Sequence, residues 1–134
     1  MAIIVRRDRS APLRHIVSIG AHSFAVDEPP DNGGEDSGPT PHDVYDAALG
    51  ACKALTLVWY ARRKGIPLDD VEVSVERDAS QEGEGLYRLR TVLSVSGDLS
   101  DEQRRQLLSV ASRCPIHKLM TEVRTEVATA WKQA

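Results

Sequence analysis

The chain has 134 residues, a net charge of −3 at pH 7 and 41% hydrophobic residues, which suits one ordinary domain with an apolar core. Acidic and basic residues are mixed along it without a basic stripe, which excludes a surface built for nucleic acid, because phosphate binding needs clustered Lys and Arg. No long apolar run follows the opening residues, so the sequence predicts neither a signal peptide nor a membrane span, and the expected location is cytoplasmic.

Short strands are predicted first, because apolar and polar residues alternate from Leu13 to Ile19 and again from Phe24 to Val26. Both segments fit a small N-terminal sheet or hairpin. Residues 27–41 are so rich in Pro, Gly and acidic residues that they predict a long acidic loop without regular structure. Such a loop is typical of a lid, a binding loop or a disordered connector, and plain flexibility is the alternative.

A long helix is predicted after this loop. Thr40 suits the N-cap, Pro41 suits the first helical position, and Asp43 lies near the positive end of the helix dipole. The helix runs to about Lys64 and ends at Gly65.

Residues 44–61 of this helix are apolar almost all the way round. The interruptions are Asp46, Gly50, Lys53 and Thr56. A helix without a polar face must be buried on every side. It is not a membrane span, because Asp46 and Lys53 would each cost about 2.5–3.5 kcal/mol near a bilayer centre. A domain of this size has few elements to cover such a helix, so the sequence predicts an obligate homodimer in which a second copy supplies part of the cover.

An antiparallel hairpin is predicted next, because Val71–Val75 and Tyr87–Val95 both alternate and are joined by a turn at residues 81–85. A capping box, Ser100 with Gln103, then opens a helix. Its inward-facing positions are predicted to be Leu107, Leu108, Val110 and Ala111.

The last elements are a short helical turn and a strand. Pro115 restarts a helix through Met120, and the alternation from Val123 to Val127 predicts a closing strand. The sequence contains no internal repeat and no low-complexity tail. We therefore expect one α+β domain over residues 1–134.

The two cysteines are the main candidates for chemistry. Cys52 shares a helix face with Tyr45, Leu49 and Trp59, a dry wall that should raise the pKa of its thiol, so a nucleophilic Cys52 needs a buried cation such as Arg. Cys114 precedes Pro115 at a predicted helix N-terminus, where the dipole should lower the pKa of the thiol. Thiol redox chemistry between them and two inert core thiols are the alternatives, and in a reducing compartment both are expected to be reduced at rest.

A metal site is a weaker hypothesis. Cys114 and His117 have a spacing suitable for chelation, and Cys52, His22 or His42 would complete a tetrahedral set. Structural zinc sites usually contain two such pairs, and this sequence has one. We therefore expect no metal, and interpret His117 as a helix or surface residue.

Four segments together resemble the OsmC/Ohr family of thiol peroxidases. They are Gly38–Asp43 followed by Ala47–Cys52, Tyr60–Gly65, Gly97–Arg104 and Arg113–His117. The resemblance extends from about His22 to Thr129 with the motifs in family order. It implies an α+β OsmC-like fold in which antiparallel sheets wrap around two long central helices of an intertwined homodimer.

The resemblance also implies a mechanism. Cys52 matches the family's peroxidatic cysteine, which would attack a hydroperoxide and become a sulfenic acid, and Cys114 matches the resolving cysteine, which would form a disulfide with it. A dithiol reductant of the lipoyl type, or another thiol, would restore both, and no cofactor or metal is required. An apolar wall at Tyr45, Leu49 and Trp59 would favour alkyl or lipid hydroperoxides over hydrogen peroxide.

Two family positions differ or are ambiguous here. Where the family has a glutamate directly after the helix-opening proline, this sequence has His42. Asp43, one residue later, could take the place of that glutamate or merely stabilise the helix dipole. The family's activating arginine is assigned to Arg14, with Arg6, Arg7 and Arg9 as alternatives. The alternative functions are a dimeric small-molecule binding or redox-sensing protein with little peroxidase activity, and a purely structural dimer.

Overall fold

The structure is a computed structural model that describes residues 2–133. Two compact units meet in sequence between Ala47 and Ala48. This boundary falls inside the long helix α1 (Pro41–Lys64), which begins in the first unit and continues into the second. The expectation of one domain over residues 1–134 stays a prediction.

The first unit contains a three-stranded antiparallel sheet of β1 (Ile3–Arg7), β2 (His15–Ile19) and β3 (His22–Val26), in the order β1-β2-β3. Val17 lies opposite Val5 on one side and Phe24 on the other, and it is the buried residue of β2. The alternating pattern predicted β2 and β3 correctly. The prediction missed β1, because its Ile-Ile-Val-Arg-Arg sequence does not alternate.

The acidic loop after β3 is irregular, as predicted, apart from one 3-10 turn at Pro30–Asn32. The buried carboxylate of Asp27 holds it in place. This carboxylate accepts hydrogen bonds from the backbone N–H groups of Glu28, Glu35 and Ser37 at 2.8, 3.2 and 3.1 Å, and from the Ser37 hydroxyl at 2.5 Å. These bonds, with the Ser37 hydroxyl first, lower the pKa of Asp27 to about 2. A single side chain therefore organises this long segment.

Both ends of α1 are formed by local contacts. The Asp43 backbone N–H donates to Thr40 Oγ1 at 3.1 Å, and the Thr40 N–H donates to the Asp43 carboxylate at 3.0 Å. At the other end, Gly65 has a φ of +66°, and the Ile66 N–H donates to the Ala61 carbonyl at 2.9 Å. This is the Schellman arrangement that glycine permits after a helix. The predicted helix bounds are confirmed.

The second unit contains an antiparallel hairpin and two short helices. The hairpin pairs β4 (Leu68–Asp78) with β5 (Arg88–Gly97), and Val71, Val73 and Val75 lie opposite Val95, Leu93 and Thr91. Inward and outward positions alternate on both strands, as the sequence predicted. The helices are α2 (Asp101–Ala111) and α3 (Pro115–Thr121), and α2 opens with the predicted capping box of Ser100 and Gln103.

The apolar core of this unit is centred on α1 and α2. Its buried members are Leu57, Ala61, Ile66, Leu107 and Ala111. The prediction for Leu108 was wrong: it is 59% exposed, because it lies about 100° round the helix from Leu107. Strand β4 approaches α1 closely at Gly50, where an added Cβ would lie 2.9 Å from Val75 Cγ2.

Helix α1 is covered on one side within the chain. Leu57 is fully buried, whereas Leu55 is 71% and Trp59 59% exposed. The sequence predicted that α1 is buried on every side, and the chain itself covers only one of its sides. No helix among residues 2–133 is both long enough and apolar enough to cross a bilayer.

The predicted closing strand was wrong. Residues 124–133 lie in neither a helix nor a strand, and Val127 is 83% exposed. Alternation alone does not make a strand, because its N–H and C=O groups need a neighbouring strand to pair with.

Candidate thiol site

The two cysteines come from different elements of the second unit. Cys52 lies in the middle of α1 and is half-buried, and Cys114 is the N-cap of α3 and is 1% exposed. Pro115, at the first position of α3, and the turn at Ser112 and Arg113 place Cys114 between α2 and α3. Both thiols are unbonded.

The two thiols lie close enough for one to affect the ionisation of the other. The pKa of Cys114 is raised, chiefly by burial, and the neighbouring Cys52 thiol raises it further. The backbone N–H of His117 and the positive charge of Lys53 act in the opposite direction but are outweighed. The expected lowering of this pKa by the helix N-terminus was therefore wrong, because desolvation outweighs the effect of a seven-residue helix.

A buried lysine acts on the Cys114 thiol. Lys53 is 3% exposed, and its Nζ donates a hydrogen bond to the Ala111 carbonyl at 2.6 Å and contacts His117 Nδ1 at 3.0 Å. Sequence reasoning noted Lys53 only as a break in an apolar helix and interpreted His117 as a helix or surface residue; His117 does lie in α3. The available signal was a cation at a helix position surrounded by apolar neighbours, where burial requires hydrogen-bond partners.

The chelating pair Cys114 and His117 acquires no further ligands. Among residues 2–133, no group of three or more His, Cys, Asp or Glu side chains is arranged to hold a metal ion. Instead, His117 Nδ1 faces the ammonium of Lys53.

Arg14 and Asp43, the predicted activating pair, lie in the first unit. Arg14 Nε donates to the Asp8 carboxylate at 2.8 Å, and Arg14 Nη2 donates to Ser10 Oγ at 3.1 Å. Asp43 closes the capping box of α1. His42 is exposed in the first turn of the same helix. The catalytic assignments of Arg14 and Asp43 stay predictions.

The predicted pocket residues differ in exposure. Leu49 is 5% exposed, whereas Tyr45 is 50% and Trp59 59% exposed. Trp59 belongs to an apolar hollow on α1, which we define by its lining residues Leu55, Val58, Trp59, Arg62 and Arg63. The Arg63 guanidinium lies 4.9 Å from the centre of the Trp59 ring. Because Cys52 precedes Leu55 by three and Trp59 by seven residues, it lies on the same helix face as this hollow.

Comparison with protein families gives a match over most of the chain. Residues 34–128 match the family described as OsmC-like protein. Comparison with curated protein sequences gives no match.

Several solved structures resemble this fold. A putative osmotic stress induced and detoxification response protein from Psychrobacter arcticus is 19% identical with a TM-score of 0.73, covering 88% of this chain and 86% of the other. An organic hydroperoxide resistance protein OsmC from Legionella pneumophila is 19% identical with a TM-score of 0.65, covering 91% and 90%. The organic hydroperoxide resistance protein OhrB of Bacillus subtilis is 22% identical with a TM-score of 0.60, covering 90% of each. These likenesses show the α+β fold.

Proposed function

Because this chain belongs to the OsmC-like protein family, we propose that it is a thiol-dependent peroxidase that reduces organic hydroperoxides through Cys52 and Cys114. One observation carries the proposal: two unbonded thiols from separate elements lie close enough for Cys52 to raise the pKa of Cys114. Two inert core thiols would not need this proximity, whereas a disulfide cycle requires it.

The different environments of the two thiols support different roles. Cys52 is the more exposed, so a peroxide in solution can reach it, whereas Cys114 is almost fully buried. The raised pKa of Cys114 keeps this thiol protonated and unreactive toward peroxide. Cys52 is therefore the peroxidatic cysteine and Cys114 the resolving cysteine.

The cycle has three steps. The Cys52 thiolate attacks the distal oxygen of the hydroperoxide, the O–O bond breaks, and the alcohol leaves after taking up a proton, so that Cys52 becomes a sulfenic acid. The Cys114 sulfur then attacks the Cys52 sulfur, forming the disulfide and releasing water. An external dithiol of the lipoyl type, or another cytoplasmic thiol, reduces the disulfide and returns both thiols.

The preference for organic peroxides is supported by the surface beside Cys52. The apolar hollow on the same face of α1 would bind an alkyl or aryl group and leaves hydrogen peroxide without an equivalent contact. Tyr45 and Leu49 are proposed to extend this apolar wall.

The exposed side of α1 also supports the proposed homodimer. Leu55 and Trp59 are large apolar side chains that remain open in the single chain, and a second copy of α1 would enclose the hollow they line between the two helices. Arg14 is proposed to activate Cys52 and Asp43 to orient Arg14. For this purpose the guanidinium must leave or share its present bond with Asp8.

The test is stopped-flow oxidation of the reduced protein by cumene hydroperoxide and, separately, by hydrogen peroxide, with free-thiol counts. We expect two thiols per chain to be lost, faster with the organic peroxide. Cys52→Ser should abolish the reaction, and Cys114→Ser should accumulate a sulfenic acid that dimedone traps.

A rate equal to that of a free thiol in solution would refute the peroxidase proposal. The exposed apolar hollow would then favour the alternative function, a binding protein for apolar small molecules, which calorimetry with the same hydroperoxides and their alcohols would detect.

A further inference from the structure

The cycle described above does not use Lys53, although this side chain is buried and its charge acts on the Cys114 thiol. Moving an ammonium out of water is costly unless its N–H groups find acceptors. Two of its three N–H groups are directed at the Ala111 carbonyl and at His117 Nδ1. A buried cation with such specific partners requires an explanation beyond packing.

The two partners of Lys53 lie on either side of Cys114 in the sequence. Ala111 is the last residue of α2, so its carbonyl belongs to the negative end of that helix dipole, and His117 is in the first turn of α3. Lys53 itself follows Cys52 on α1. One ammonium therefore holds both ends of the segment that presents the resolving thiol and attaches this segment to the helix that carries the other thiol.

We propose that Lys53 and His117 are positioning residues for Cys114: they hold residues 111–117 against α1, and Lys53 provides the positive charge that faces the Cys114 thiolate when it attacks oxidised Cys52. The attack on oxidised Cys52 rests on the proposed peroxidase function. The positioning of Cys114 and the effect of Lys53 on its ionisation do not depend on that function.

His117 must take a defined form for this role. A charged Lys53 can donate to Nδ1 only if that nitrogen carries no proton, so the ring proton is on Nε2. The groups that act on the Cys114 thiol are the Lys53 charge, the Cys52 thiol and the His117 backbone N–H. Lys53 is the cation among them, and it opposes the effect of burial on the pKa of Cys114.

The resolving step balances without another reactant. The Cys114 thiolate attacks the sulfur of the Cys52 sulfenic acid, the S–S bond forms, and the S–O bond breaks. The leaving hydroxide takes up the proton that Cys114 released and departs as water. The sulfenic sulfur is reduced, the Cys114 sulfur is oxidised, and Lys53 stays charged throughout.

The first experiment titrates Cys114 alone. In the Cys52→Ser protein, ultraviolet absorbance of the thiolate is followed against pH with and without a second substitution, Lys53→Met. Removing the cation should raise the pKa of Cys114 by about one unit or more. Lys53→Arg should leave the titration close to that of Cys52→Ser alone. Lys118→Met, an exposed lysine of α3, is the matched control and should change nothing.

An unchanged Cys114 titration in folded Lys53→Met would overturn the proposal. If this variant does not fold, nitrogen NMR of the lysine side chains in the Cys52→Ser protein decides the matter. The Lys53 Nζ resonance should move at the same pH at which the thiolate absorbance appears, and a resonance that ignores this titration would also refute the proposal.

The second experiment separates this inference from the proposed function. In Cys52-containing protein with Lys53→Met, the formation of sulfenic acid and its conversion to the disulfide are followed as separate phases. The conversion should be slower by about tenfold, the change in thiolate fraction for one pKa unit. His117→Leu should slow the same phase, and His117→Asn, which keeps an acceptor near Nδ1, should restore most of it. A protein that does not react with peroxide refutes the peroxidase, whereas equal second phases in all variants refute the role of Lys53.

Discussion

Each of the two units is stabilised internally by a different kind of interaction. The stability of one unit should therefore depend on acid pH and that of the other on alkaline pH. In the first unit, the carboxylates of Asp8 and Asp27 collect hydrogen bonds from neighbouring loops, and both carboxyl groups have lowered pKa values. In the second unit, an apolar core packs against one side of α1, and burial raises the pKa of the Cys114 thiol. Hydrogen bonding to a charged form dominates in one unit, and desolvation dominates in the other.

This difference predicts where each unit loses stability. A carboxyl group whose pKa is lowered by folding contributes stability when the pH is above the pKa of the unfolded chain, and this contribution is lost as the pH falls through the pKa of the folded chain. A thiol whose pKa is raised by folding contributes stability when the pH is below the pKa of the unfolded chain, and this contribution is lost as the pH rises through the pKa of the folded chain. Acid should therefore act first on the loops of the first unit, and alkali on the thiol site of the second.

The largest effect should come from the apolar core of the second unit. Leu107→Ala should lower the free energy of unfolding by about 2–5 kcal/mol, because Leu107 is 2% exposed and its removal leaves a cavity. The adjacent Leu108→Ala is the matched control and should change it by less than about 0.5 kcal/mol. Urea denaturation followed by circular dichroism measures both, and equal losses would contradict the assignment of the core.

A smaller loss should follow from filling the close approach between α1 and β4. Gly50→Val places a Cβ 2.9 Å from Val75 Cγ2 or forces the strand away, at a cost of about 1–3 kcal/mol. Ala51→Val, at an exposed position of the same helix, controls for the helix propensity of valine. A Gly50→Val protein as stable as Ala51→Val would show that the approach is looser than the structure has it.

The loss of folding stability at low pH should depend on Asp27. In the unmodified protein, stability should fall between about pH 4, the usual Asp value, and about pH 2, the folded value, as Asp27 takes up a proton. The Asp27→Asn protein should be less stable at neutral pH, and its stability should change less with pH over this range. Asp31→Asn, on the exposed part of the same loop, should retain the slope. Thermal unfolding at a series of pH values gives the comparison, and an unchanged slope in Asp27→Asn would refute it.

The smallest effect should appear at alkaline pH. Because the pKa of Cys114 is raised in the folded chain, stability should decline above about pH 8.5, where the unfolded thiol ionises. Cys114→Ala should remove this part of the decline. The measurement is the melting temperature from pH 8 to the alkaline limit under reducing conditions. A decline of the same steepness in Cys114→Ala would assign it to other groups.

The sequence predicts local features of the fold well. The capping pairs Thr40 with Asp43 and Ser100 with Gln103 involve residues three apart, and the Gly65 helix end and the β4–β5 alternation are equally local. Predictions failed where the outcome depends on a neighbour far along the chain. Val123–Val127 alternates but pairs with no strand among residues 2–133, and Ile3–Val5 does not alternate but pairs with β2.

The same limit applies to the candidate site. The sequence made Cys52 and Cys114 the candidates and a family resemblance suggested their roles, but the balance of effects on the Cys114 pKa was predicted in the wrong direction, because burial cannot be seen in a Cys-Pro motif. The two contacts of Lys53 were missed because its partners lie 58 and 64 residues away. Burial and long-range contacts therefore affect this site in addition to its local motif.

The Asp27 carboxylate also determines how freely the acidic loop can change in length. Its partners are the residue that follows it and the pair Glu35 and Ser37, so the bonds to this carboxylate bypass the turn at Pro30–Asn32, which has only its own local bonds to Glu28, Pro29 and Pro30. Extra residues inserted there lengthen a closed loop at a cost that grows only with the logarithm of its length. This exposed turn is thus the natural place in the chain to insert a peptide tag or a fluorescent reporter while leaving both ends of the loop anchored.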